Sequence, residues 1–235
     1  MTGTSTLPLA EVVAHKRGLV FDLFHTLTCI ELTSEGLPTV EMLGLDREAW
    51  RAEMRVARWR LLGEERDPYA LIRRLVHAVD PALPEEVIRR AAEARLERFA
   101  LSLLNPPEVS LRVLRRLKGA GKKLGLISDA DPIEVAAWQR SPLAELFDCA
   151  IISCEVGLTK PDPQIYRLCL EKLGLGAQEC LFVGNGGSQE LAGARGVGLG
   201  TVMMAGIARR IWPDRALEGE ADAEYVIDSL EELVA

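Results

Sequence analysis

Beyond Pro107 the chain alternates short apolar runs with helix-length amphipathic segments, and this alternation constrains the fold more than any other feature. KKLGLIS, a run over 149–153, CLFVG and GTVMM read as buried strands, and AEYVID adds one more before a short terminal helix. Between them lie a helix over 108–120 ended by Gly121, one around 133–140, one over 164–173 and one opening near Ser188. Strands alternating with helices require right-handed crossovers and a parallel sheet covered on both faces. The expected fold class is therefore α/β, with a doubly wound parallel sheet at its core.

An earlier run belongs to the same sheet. GLVFDLFHTLT, residues 18–28, is apolar up to a lone carboxylate, Asp22. Ligands of open α/β sheets bind beyond the carboxyl ends of the strands, so Asp22 falls at the expected site, although Asp at a strand end also serves simply as a turn former. Residues 1–17 read as a leader with a short helix over 9–15. From 33 to 104 the pattern changes: apolar residues recur at helical spacing, no strand-like run occurs, and turns are signalled at Asp67-Pro68 and Asp80-Pro81. Residues 33–104 are expected to form an all-helical insertion, joined at 30–34 and 105–107 to a core of residues 1–32 and 105–235.

At 235 residues the chain is long enough for a core and one insertion. A formal charge of −7 and a pI near 5.2 argue against nucleic acid or an anionic membrane as partner. No apolar stretch reaches the length of a membrane span, and the first residues lack a basic start followed by an apolar core. A cytoplasmic location is expected. Cys29, Cys149, Cys154, Cys169 and Cys180 have neither paired metal spacing nor a disulfide-like framework, and read as small core hydrophobes.

The strand ends carry polar residues that converge on one edge of such a sheet: Asp22, Ser128, Lys160, and Asn185 with Glu190. Singly, Ser128 is a helix cap and Lys160 a solvated loop cation. Together and in this order they resemble the haloacid dehalogenase-like superfamily. FDLFHTLT, LISDAD, GLTKPDPQIY and FVGNGGSQELAGARGVG are similar to its four motifs, and 33–104 sits where its helical cap is inserted. The resemblance implies a Rossmann-like core and a hydrolase whose covalent nucleophile is Asp22. Ser128 and Lys160 would bind and neutralise the reacting anion, with Phe24, Thr26 and Asp129 around it. Magnesium is the implied cofactor, held by Asp22, the Phe24 carbonyl, Asn185 and Glu190.

Two positions depart from the phosphatase pattern. Phe24 stands where a second Asp moves the proton of the leaving group, and phenylalanine cannot. Asn185 stands where an Asp meets magnesium, so the metal site is weakened. His25, beside the nucleophile, is a candidate proton carrier, with a packed turn histidine as the alternative. An aromatic residue at position 24 is also similar to the metal-independent dehalogenase branch, whereas the fourth motif has the length of the phosphatase branch. In the insertion, Arg55, Arg58, Arg60 and Trp59 form a basic and aromatic run, from which Arg58 is taken as a clamp for a substrate anion; Trp50 and Trp59 read as packing residues. Three readings stay open: a phosphomonoesterase of a small phosphorylated metabolite, which leads; a dehalogenase-like hydrolase of a carbon–halogen bond; and a catalytically impaired binding or regulatory protein. The expected partner is a small anionic substrate, with the chain a monomer or homodimer.

Overall fold

The computed structural model describes residues 7–33, 36–211 and 220–235. Six parallel strands form one sheet: β1 (Gly18–Phe21), β2 (Lys123–Ser128), β3 (Cys149–Ile152), β4 (Cys180–Gly184), β5 (Gly200–Met204) and β6 (Tyr225–Ile227). Their order, β3-β2-β1-β4-β5-β6, is that of a doubly wound Rossmann-type sheet. The chain runs outward from β1 through β2 to β3, then returns to β4 on the other side of β1. The switch point therefore lies beyond the carboxyl ends of β1 and β4, where Asp22 and Asn185 stand.

Side chains of β1 alternate between two cores. Leu19 and Phe21 pack on one face with Leu124, Leu126, Leu181 and Val183; Val20 packs on the other with Ile127, Ile151 and Phe182. Burial on both faces explains why these strands read as continuous apolar runs. The helices in chain order are α1 (Leu9–His15), α2 (Ile30–Thr33), α3 (Thr39–Leu43), α4 (Arg47–Val56), α5 (Arg58–Leu61), α6 (Pro68–Val79), α7 (Glu85–Leu104), α8 (Glu108–Gly119), α9 (Ser153–Val156), α10 (Pro163–Leu173), α11 (Glu190–Gly196) and α12 (Ala205–Ile211). Val13 and α8 cover the first face, α10 and α11 the second.

Helices α2 to α7 lie between β1 and α8, and no strand occurs among the described residues of that stretch. Asp46 and Asp67 accept from the backbone N–H of Ala49 and Ala70, at 2.8 and 2.7 Å, and so cap α4 and α6. Gly44, at φ 65°, ends α3. Trp50, Leu71, Ile72, Leu75, Val76 and Ile88 form a separate apolar cluster, with Trp59 packed against it beneath the Arg74 guanidinium.

Helices α9 and α12 fall where no helix is expected, and two further elements differ from expectation. Residues 133–140 form turns and a 3-10 turn over Trp138–Arg140 instead of a helix. Asp131 accepts from the N–H groups of Ile133 and Glu134, and this turn drives Ile133 into the helical cluster and Trp138 into the sheet core. The terminal helix is a 3-10 turn over Leu230–Leu233.

The helical segment is fastened to the sheet by charge and close approach. Arg60 of α5 and Arg95 of α7 donate to Asp131 at 2.8 and 3.1 Å, and Arg95 reaches Glu134 at 2.5 Å. Gly63 has φ 72°, and a Cβ there would lie 2.0 Å from the Cys154 carbonyl oxygen. Replacing Asp131 with Ala leaves two buried guanidiniums facing one carboxylate. Asp131→Ala is expected to lower stability by about 3–5 kcal/mol in urea unfolding; a loss below about 1 kcal/mol, the scale of an exposed pair, contradicts this.

Candidate active site

Asp22 directly follows β1, and its N–H donates to the Val183 carbonyl at 2.9 Å, extending the β1–β4 ladder. The chain then closes a tight loop. Leu27 and Thr28 N–H groups return to the Leu23 carbonyl, and His25, at φ 63°, donates its N–H to Thr28. This loop holds Thr26 beneath the carboxylate, to whose Oδ2 its hydroxyl donates at 2.9 Å.

Lys160 comes from the loop after β3 and α9. The residue is 5% exposed, and its ammonium donates to Asp22 Oδ1 at 2.6 Å and to Glu190 Oε2 at 2.5 Å. Asp129, just after β2, accepts the Lys160 N–H at 2.9 Å and fixes that loop. Burial opposes the charge on Lys160, but Asp22, Glu190 and Asp129 together hold its pKa well above the ordinary value. Burial pushes the Asp129 carboxyl up despite Lys160. For Glu190, burial and the Asp22 charge outweigh Lys160 and the Gly186 N–H, raising its pKa from 4.5 to about 7. Gly184 makes room for this carboxylate, since a Cβ there would meet Glu190 Oε1 at 2.3 Å.

Ser128 stands at the carboxyl end of β2, 1% exposed, and its Oγ has no hydrogen-bond partner among the described residues. An orphaned buried hydroxyl carries a desolvation penalty, which a ligand oxygen would relieve. A cavity of 300 Å³ opens over Asp22 and Lys160, walled by Phe24, His25, Glu31, Arg60, Phe99 and Glu134.

Asn185 meets its neighbours as a donor. Its Nδ2 donates to the Phe24 carbonyl at 2.8 Å and to Asp22 Oδ2 at 3.3 Å, while its Oδ1 accepts the Gly187 N–H at 2.8 Å. Exchanging the amide atoms would set oxygen against the Phe24 carbonyl and nitrogen against an N–H, so the backbone fixes this orientation. The four groups expected around magnesium thus present a poor cation site: an amide NH2 lies between Asp22 and the Phe24 carbonyl, and Glu190 is engaged by Lys160 and the Gly186 N–H. Asp22, Phe24, Asn185 and Glu190 as arranged do not fit a magnesium ion.

The remaining expected residues divide. His25 faces the cavity wall, its Nε2 2.9 Å from Glu31 Oε2. Burial pushes the Glu31 carboxyl up, but the His25 hydrogen bond and charge bring it down to about 2. Phe24 turns its ring edge-on to Phe99 at 5.3 Å. Arg58 donates to the Thr159 hydroxyl at 2.5 Å and is not among the cavity walls, whereas Arg60 is. Arg60 stands in the same basic run, but only its distant partner Asp131 selects it. Glu31, Phe99 and Glu134 carry no motif signal; they reach the cavity through the packing of helices on the sheet.

A family model described as haloacid dehalogenase-like hydrolase matches residues 16–198. The glyceraldehyde 3-phosphate phosphatase of Methanocaldococcus jannaschii is 32% identical over 137 residues, 57% of each chain. The chain spans about half the length of the curated relatives it matches. Among solved structures, CbbY from Rhodobacter sphaeroides in complex with phosphate is 26% identical, with a TM-score of 0.60 over 93% of this chain and 96% of that one. The L-2-haloacid dehalogenase of Xanthobacter autotrophicus with chloropropionic acid covalently bound shares the fold, at 23% identity and a TM-score of 0.61 over 93% and 97%. Among the described residues, no helix is long and apolar enough to cross a membrane.

The raised carboxyl of Glu190 sets a pH dependence. Between its ordinary value of 4.5 and about 7 the folded protein binds the extra proton, so this contribution to stability is full at the acid end and is lost as pH rises through about 7. Glu190→Gln removes that titration. The melting temperature of the native protein minus that of the variant is expected to fall across this window, and a flat difference contradicts the assignment.

Proposed function

We propose, from the premise that the chain belongs to the haloacid dehalogenase-like hydrolase family, that it hydrolyses a small phosphorylated metabolite through a covalent bond to Asp22. The observation that carries this reading is the buried contact of the Lys160 ammonium with Asp22, at 2.6 Å, at the floor of a cavity small enough for a metabolite. The phosphatase relative at 32% identity supports the phosphoryl substrate.

In the reaction an Asp22 oxygen bonds to phosphorus and the bond to the leaving oxygen breaks, its electron pair departing with that oxygen. Lys160 neutralises the charge shared by Asp22 and the reacting oxygens, a fixed donor needing no reorganisation. Ser128 donates its unengaged hydroxyl to a phosphoryl oxygen, and Thr26 keeps Asp22 oriented. Water then displaces Asp22 from phosphorus, releasing phosphate and restoring the carboxylate. No step uses a metal, because the residues around Asp22 do not fit one. Helices α2 to α7 act as the cap: they bring Arg60 and Phe99 over the cavity and exclude water from it.

Phe24 supplies no proton to the leaving oxygen, so leaving groups stable as anions are favoured. Aryl phosphates are expected to react about 10²–10⁴-fold faster than alkyl phosphates, the usual worth of a positioned acid; equal rates would point to another proton donor.

A second reading, hydrolysis of a carbon–halogen bond, is favoured by Asn185, whose amide holds Asp22 by a hydrogen bond, and by a leaving halide's needing no proton. The deciding assay compares an aryl phosphate and a 2-haloacid, each with magnesium or a chelator, with Asp22→Asn as blank. Phosphate release that survives the chelator and vanishes in the blank is the expected result; halide release instead establishes the second reading. Neither product above the blank overturns both and leaves a binding protein. Asn185→Asp replaces the donor with a carboxylate, and titration calorimetry is expected to find magnesium binding in the variant that the native chain lacks.

A further inference from the structure

Beside the cavity lies a second group of ligating side chains, separate from the Lys160 pair, two of which line the cavity wall. His25, Cys29 and Glu31 bring an imidazole nitrogen, a thiol sulfur and a carboxylate oxygen within 4.8 Å of one another. Glu31 Oε2 lies 2.9 Å from His25 Nε2 and 3.3 Å from Cys29 Sγ, so the carboxylate joins the other two groups.

These side chains are held by backbone already described. His25 sits in the closed loop over 23–28, Cys29 follows it, and Glu31 stands in the first turn of α2. A cluster fixed by hydrogen-bonded backbone loses little freedom when it takes a ligand. Cys29 is 1% exposed, whereas His25 and Glu31 line the cavity.

The charge of the cavity argues for the same ligand. Its walls carry two cationic side chains, Arg60 and Lys160, against five carboxylates: Asp22, Glu31, Asp129, Glu134 and Glu190. Arg60 is already spent on Asp131 and Lys160 on Asp22. Carboxyl groups outnumber cationic side chains in these walls, which favours a bound cation.

We propose that His25, Cys29 and Glu31 form a binding site for a thiophilic divalent cation of the zinc class, with its fourth position open to the cavity. The ligand set decides the metal. Imidazole and thiolate suit zinc and its tetrahedral geometry, and are poor ligands for magnesium. Cys29 binds as the thiolate, its proton leaving to solvent. The bound ion places two positive charges beside the substrate cavity, and its open position takes an oxygen of an anionic ligand. Metal binding itself does not depend on which bond the enzyme hydrolyses.

The test is direct binding to the full chain. Calorimetry with zinc is expected to show one site, and magnesium none. Cobalt in place of zinc is expected to give the visible bands of a tetrahedral ion and a thiolate-to-metal charge-transfer band in the near ultraviolet. Cys29→Ser should remove the charge-transfer band, and Glu31→Gln should weaken zinc binding by more than the ~10–100-fold that loss of an outer ligand partner costs. His25→Gly, which accepts the positive φ, should do the same. The cobalt spectrum needs no variant, so a misfolded variant leaves the test standing. Absence of the charge-transfer band in the native protein, or unchanged zinc affinity in a folded Cys29→Ser protein, overturns the proposal. If inorganic phosphate binds no more tightly in the presence of zinc, the open position does not serve an anion and that part fails alone.

Discussion

The buried ammonium of Lys160 is the interaction on which the site depends. An isolated cation at that depth would be several kcal/mol too costly, so it is present only because Asp22 and Glu190 flank it. The same pairing limits the carboxylates. Asp22 ends β1, and Glu190 opens α11 after β4, so the ammonium bridges the two strands at the point where the sheet reverses its winding. Gly184 completes the arrangement, because any side chain there would displace Glu190. Fold and site are therefore one constraint: the strand order creates the crevice, and the charge triad closes it.

The loop after β2 carries this constraint outward. Asp129 holds the Lys160 backbone, and two residues later Asp131 holds Arg60 and Arg95 of the helical segment. Carboxylates of this loop thus fasten the partner of Asp22 on one side and the helices over the cavity on the other. That double duty explains why the loop forms no helix, although its apolar spacing suits one. Its buried polar groups are satisfied only in an extended turn that lets Asp131 and Glu134 face the two arginines.

The sheet was legible because buried parallel strands write themselves as short apolar runs, as CLFVG and GTVMM do. The convergence of Asp22, Ser128, Lys160 and Glu190 was legible for the same reason, since parallel strands bring their ends to one edge. What the sequence left open depends on contacts across the chain. Arg58 and Arg60 look alike in the basic run, and only the position of Asp131, 71 residues away, separates them. His25, Cys29 and Glu31 lack familiar metal spacing because they meet through a loop and a helix turn.

Phe24 and Asn185, read singly as losses, are physically coupled. The Phe24 carbonyl and Asp22 both accept from the Asn185 amide. An aspartate at 185 would set a further carboxylate against two acceptors, an arrangement stable only with a cation between them. The asparagine relieves that repulsion with hydrogen bonds and keeps Asp22 oriented. Once no cation is held there, an acid at position 24 would add yet another carboxylate beside Asp22 and Glu190, whose pKa is already raised by its crowded surroundings. A phenylalanine packed on Phe99 adds no such charge. The two residues together leave the Asp22 carboxylate held by hydrogen bonds and one ammonium.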